Sequence, residues 1–177
     1  TNMLRLDGNE ILNGTAPALS TEDAASLVRA SGNQWVEAGV DVRQVWDALK
    51  GLRIEVQDLP GTALAAVGAG VLFIDVNAAG HGWFLDPTPN NDREFQRFVT
   101  DTERQAILNS PARGRVDLLT VVLHETGHLL GLEHSTSQHD VMSPILPVGT
   151  RRLPSHDEAD LALLSFMDEY NTHRRRR

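Results

Sequence analysis

Eleven residues carry most of the chemistry: His124-Glu125-Thr126-Gly127-His128-Leu129-Leu130-Gly131-Leu132-Glu133-His134. Side chains four apart on a helix lie on one face, a turn above each other, so His124 and His128 can aim both imidazoles at one point. Glu125, next to the first imidazole, can reach a water at that point without taking a ligand position. The helix cannot supply a third ligand in the right direction. Gly131 tolerates the left-handed backbone that lets the chain leave the helix and swing back, which brings in His134. Three neutral histidines suit one Zn²⁺ with a fourth position open for water. The chemistry implied is amide hydrolysis by a metal-activated water, with Glu125 as general base and no covalent intermediate. The extended pattern arises by accident in roughly one such sequence in ten thousand. Without a metal, three clustered imidazoles among apolar flanks would be costly.

These side chains need elements to position them. Asp117 opens an apolar helix carrying Leu118, Leu119, Val121, Val122, Leu123, Leu129 and Leu130. Before it, Ser20 and Asp23 make an Asp-variant capping box for a helix from Thr21 to about Glu37, with Ala24, Leu27, Val28, Ser31, Trp35 and Ala38 on one face and Gly39 as its stop. A short helical turn is expected around Val42–Leu49. Leu52, Ile54 and Val56 alternate with polar residues as a half-buried strand, and Ala63–Val67, Val71–Val76 and Ala79–Leu85 read as further strands. Residues 1–20 read as an extended, turn-rich start broken by Gly8, Asn9, Asn13, Gly14 and Pro17. Residues 86–116 read as polar loop with a short helix near Asp101–Asn109, and a loop spans Gly131 to Pro154. Ser155-His156-Asp157-Glu158 is a full capping box opening a last helix to about Tyr170, where Leu161, Leu164, Ser165 and Met167 or Asp168 recur at helical spacing.

With these motifs in place, His124 to His134 matches the HExxHxxGxxH pattern, and the chain resembles the metzincin zinc metallopeptidases. Met142 in Asp140-Val141-Met142-Ser143-Pro144 fits the methionine turn that metzincins place beneath the metal. The eight-residue step from His134 to Met142, Ser135 directly after the third histidine, and the helix from Ser155 resemble the matrixin branch. Asp75–Phe95, with Gly80-His81-Gly82-Trp83-Phe84, looks like matrixin-like domains of large secreted bacterial proteins. The resemblance implies an α+β metzincin-like fold: a twisted, mostly parallel sheet of four or five strands with a backing helix and an active-site helix. A small C-terminal subdomain would hold the Met-turn and the final helix. A single catalytic domain would span 1–177, with an upper part of about 1–134, a lower part of about 135–170 and a basic tail 171–177. A substrate cleft would run between the parts, where an extended peptide pairs antiparallel with an edge strand. His81, Trp83 and Ser143 are candidate cleft residues. Ser143 stands where matrixins usually have Tyr. The second-zinc histidines, the glycine-aspartate calcium loops and a cysteine switch are not recognisable.

Other polar residues have more local expectations. His139 reads as a loop histidine, His156 as solvated in a helix's first turn, and Asp140 as a local hydrogen-bonding group. Asp157 and Glu158 suit a helix N-terminus electrostatically, and the resemblance adds pairing of an acid there with an N-terminal ammonium. Asp86, Asp92 and Glu94 are candidate Ca²⁺ ligands.

The 177 residues suit one domain, and 41% hydrophobic content is enough for one core. Net charge is −8, which argues against a general nucleic-acid binder despite the Arg174–Arg177 run. No apolar run is long enough to span a membrane. There is no cysteine, hence no disulfide or thiolate ligand. The chain starts at Thr1, which reads as a mature product or excised piece. The expectation is a monomeric zinc endopeptidase acting on protein or peptide substrates, secreted or at the surface of a bacterial cell, and part of a larger polypeptide in one version. The alternatives are a self-processing domain, or a catalytically idle, zinc-stabilised binding module of a larger adhesive protein.

Overall fold

The computed structural model describes residues 3–8 and 16–175. Asn9, Asn13 and Gly14 among the expected breakers, and Arg176-Arg177 of the basic run, lie outside the described residues. In chain order the elements are β1 (Met3–Leu6), α1 (Thr21–Ala38), α2 (Val42–Leu49), β2 (Arg53–Gln57), β3 (Ala63–Gly68), β4 (Val71–Asp75), β5 (Trp83–Phe84), β6 (Arg97–Phe98), β7 (Glu103–Gln105), β8 (Val116–Asp117), α3 (Leu118–Leu129), β9 (Ile145–Leu146), β10 (Thr150–Arg152) and α4 (His156–Arg175). The class is α+β, as expected.

The main sheet has the order β2-β4-β3-β1-β9. It is mixed rather than mostly parallel: β2 with β4 and β1 with β9 run parallel, while β4 with β3 and β3 with β1 run antiparallel. The reason is local. Only Ala69 and Gly70 separate β3 from β4, both at positive φ, and so tight a turn joins only antiparallel neighbours. β1 and β9 were expected as turn-rich start and loop; they are too short to alternate visibly.

Helix α1 begins at Ser20, whose hydroxyl accepts the Asp23 N–H at 3.1 Å, and ends at Gly39 with φ 119°. All six residues expected on its inner face are buried. That face meets α3 through apolar packing and two polar contacts. Trp35 Nε1 donates to Leu123 O at 3.1 Å, and the hydroxyls of Ser31 and Thr126 lie 2.9 Å apart. One core joins α1, α3 and the sheet, with Leu64, Leu72, Ile74, Leu119 and Leu123 at its centre.

Two expected elements are absent. Residues 77–82 do not form a strand. The buried Asp75 carboxylate accepts N–H groups from Leu59, Asn77 and Ala79, winding the chain into a turn in which Ala78 and Ala79 take positive φ. A strand survives only at β5. No helix forms at 101–109: Thr100 Oγ1 accepts the Glu103 N–H at 2.9 Å, and Glu103 is drawn inward to Arg152 Nε at 2.6 Å, which extends the backbone into β7. The last helix runs five residues past Tyr170, since no Gly or Pro stops it and cations suit its C-terminal end. It buries Ala159 and Ala162, while Leu161 and Leu164 face outward.

The long excursion between β5 and α3 is tied down by Arg152 at Glu103 and by a second buried cation. Arg151, 0% exposed, holds Asp117 with two bonds, Nε–Oδ2 at 3.0 Å and Nη2–Oδ1 at 2.8 Å. Its Nη1 sits 2.6 Å from Asp86, at an angle that makes an ion pair rather than a hydrogen bond, and 3.3 Å from Asp92. The guanidinium also covers the Phe95 ring at 4.4 Å. Asp117 is at the same time the N-cap of α3, accepting from Thr120 N at 3.2 Å. Replacing Arg151 with Met would leave the buried Asp86 and Asp117 without a cation, while Asp92 would keep only Arg104 at 2.8 Å. The expected cost is about 3–5 kcal/mol, measured by urea unfolding. A cost below about 1 kcal/mol would show that Arg151 does not hold this region together.

Candidate metal centre

Helix α3 buries its residues 118–127 on every side, so its polar groups face protein rather than water. His124 is 0% exposed and His128 half-buried. Their Nε2 atoms lie 3.1 Å apart. Gly131, at φ 87°, ends the helix, and the chain returns so that one ligand atom from each of His124, His128 and His134 lies within 4.8 Å of the other two. Gly131 has a second reason to be glycine: a Cβ there would overlap Ser165 Oγ of α4.

The orientation of the rings suits a cation. His124 Nδ1 is 2.8 Å from Val141 O, and His128 Nδ1 is 2.8 Å from Leu132 O. A carbonyl can only accept, so Nδ1 carries the proton and the Nε2 lone pair is left facing inward. His134 Nε2 is buried with no hydrogen-bond partner. Burial lowers the pKa of all three, that of His124 to about 3, so the imidazoles stay neutral at physiological pH. Neutral rings with converging lone pairs and one orphaned nitrogen fit a divalent metal.

Glu125 is buried, and neither carboxylate oxygen makes a hydrogen bond. Burial pushes its pKa up to about 8, only partly offset by the N–H groups of Val67 and Leu4, which face it without full hydrogen-bond geometry. Burial disfavours the ionised form, so the carboxylate, once ionised, is a stronger base than an exposed one.

Met142 packs under α3. A Cβ on Gly127 would overlap its Sδ and come within 3.1 Å of the Trp35 ring. The turn is held from both ends: Ser135 N donates to Met142 O at 2.9 Å, Ser135 Oγ to Asp140 at 2.7 Å, and Met142 N to Glu158 at 3.3 Å. Glu158 also accepts Ser155 N and Oγ at 2.9 Å, so the capping box and the methionine turn share one carboxylate.

Other expected residues fall elsewhere. Trp83 is on β5, donating to Asp75 O, and β5 pairs with β8, which leads into the N-terminus of α3. His81 precedes it, and both line a cavity of about 540 Å³ between Ala16–Leu19 and Pro111. They lie by the start of α3, whereas the histidines lie towards its end, because the Asp75 turn carries this segment away. Ser143 lines a different cavity of about 620 Å³ beside the methionine turn, with Ser135, His139 and Arg152. His139 sits 3.1 Å from Glu103, and His156 is not simply solvated: its Nδ1 donates to Ala38 O at 2.7 Å. Of the calcium candidates Asp86, Asp92 and Glu94, the first two are engaged by Arg151.

Sequence patterns miss Val141 and Leu132, because a backbone carbonyl leaves no side-chain signature. Gly127 inside a helix was a usable signal, since an interior glycine commonly marks close packing.

The profile of the matrixin peptidase family matches residues 68–164, more than half of the chain. The chain belongs to the matrixin family. Individual relatives agree over shorter stretches. Metalloendoproteinase 1 of Glycine max is 43% identical over 47 residues, 27% of this chain and 15% of the relative. Matrix metalloproteinase-16 of Rattus norvegicus is 32% identical over 80 residues, 44% of this chain and 12% of the relative. Matrix metalloproteinase-25 of Mus musculus is 39% identical over 90 residues, 48% and 14% respectively. The matched part thus spans 12% to 15% of the length of these relatives.

Gly127→Ala should crowd Met142 and destabilise the protein by about 1–3 kcal/mol in thermal unfolding. The double variant with Met142→Ala should cost less than the two singles added together. Strict additivity would mean that Met142 does not pack on Gly127.

Proposed function

We propose that the chain is a zinc-dependent endopeptidase that hydrolyses extended peptides. His124, His128 and His134 hold one zinc, and Glu125 is the general base. The observation that carries this is Glu125 itself: a buried carboxylate without a hydrogen bond, directly after His124 on the helix that supplies two of the three clustered imidazoles. Such a group is costly to keep, and an idle binding module has no use for it.

When bound, zinc supplies a Lewis acid that acidifies its water and polarises the scissile carbonyl. Glu125 takes the proton of the attacking water at one carboxylate oxygen. It then delivers that proton to the nitrogen of the leaving amine, so the base is regenerated in each turnover. Val141 O and Leu132 O hold the imidazoles in their donor-outward tautomers throughout. Met142 provides a soft, uncharged floor that fixes the height of the turn without competing as a ligand. The cavity lined by Ser143, Ser135 and Arg152 lies directly after Met142 in the chain and is the proposed seat of a substrate side chain. His81 and Trp83 have no part in this mechanism. Family membership supports a protein substrate and a site of action outside the cell.

Glu125→Gln should still bind about one zinc per chain, and cleavage of a denatured protein or peptide library should fall by at least about 100-fold. Metal analysis and mass spectrometry of the digest check both. Wild-type protein that binds no zinc, or binds it and cuts nothing, would contradict the proposal.

A further inference from the structure

β1 lies in an unusual place. It is the strand that joins β3 to β9, and β9 follows the methionine turn. Its amides are gripped alternately from two sides. Arg5 N donates to Pro144 O and Asp7 N to Leu146 O, both at 2.9 Å, while Leu6 N donates to Thr62 O at 2.9 Å next to β3. Leu4 and Leu6 point into the core and Arg5 points outward. The ladder with β3 is interrupted between Leu4 and Arg5. Near that interruption the strand passes Glu125, whose carboxylate is approached by the N–H of Leu4 and by that of Val67 of β3.

A peptide whose amide is to reach Glu125 must lie along this same track, with β3 on one side and residues 144–146 on the other. Without β1, β3 would present an open edge there, and an open edge accepts an added strand. β1 and a second peptide therefore exclude each other. Resting on the peptidase assignment of Glu125, we infer that Met3–Leu6 is a cis-bound occupant of the peptide track. It lays the Met3–Leu4 amide beside the base and must be displaced before another peptide can enter.

The test uses the full chain as Glu125→Gln, so that neither strand is cut, and follows amide hydrogen exchange by NMR. A free peptide with the sequence of residues 1–8 is the competitor. The amides of Arg5, Leu6 and Asp7 should exchange at least about 10-fold faster than those of Leu72 and Ile74 in β4, because the occupant opens locally. They should accelerate further on adding peptide, with β4 unchanged. If β1 exchanges at the rate of β4 and ignores the peptide, it is an integral strand and the inference is overturned. A second variant, Leu4→Asp with Leu6→Asp and Glu125 intact, should lower KM for a peptide in trans by about 10-fold while β4 stays protected. An unchanged KM, or loss of β4 protection, also overturns it. If no form of the protein cuts peptide, the peptidase assignment fails, and the exchange experiment still decides whether β1 is displaced.

Discussion

Desolvation of four titratable side chains within one stretch of helix and its return loop is the constraint on which the rest of the structure depends. Burial holds His124, His128 and His134 neutral and Glu125 reluctant to ionise. The same low-dielectric surroundings would be destabilising if no cation came to meet them. A helix apolar on every side creates those surroundings, and its burial requires neighbours on all faces. α1 covers one side, the sheet another, and the methionine turn closes from below.

That burial in turn needs an anchor at the start of α3. The N-cap Asp117 is held by Arg151, and Arg151 gathers Asp86 and Asp92 from the preceding excursion. A residue of the C-terminal part thereby fixes the helix that carries His124 and Glu125. Glu158 does the complementary work at the other side of the site, linking the first turn of α4 to Met142. Two neighbouring arginines, Arg151 and Arg152, therefore reach in different directions: one to the helix N-cap, the other to Glu103 and to Ile145 O of β9.

Much of this was legible in the sequence where local rules act alone. The i, i+4 histidines, the capping residues Ser20 and Ser155, and the stops at Gly39 and Gly131 depend only on backbone geometry, and the structure has each of these local features. The failures are places where a distant partner decides. Ala79–Leu85 alternates like a strand, yet Asp75 winds it into a turn. Asp101–Asn109 reads as helical, yet Arg152 pulls Glu103 into a strand. Asp86 and Asp92 look like calcium ligands until Arg151 arrives from some 60 residues away. β1 and β9 are too short to carry a periodic signal, although β1 passes the base. Carbonyl partners of the histidines have no signature at all.

The central claim is that the metal sees three imidazoles and that Glu125 stays off it. Zinc K-edge X-ray absorption of the zinc-loaded protein tests this most directly. The account predicts four light-atom ligands at about 2.0–2.1 Å with outer-shell scattering of three imidazole rings. Two imidazoles with a carboxylate in place of the third would contradict it, because Glu125 would then be a ligand and not a base.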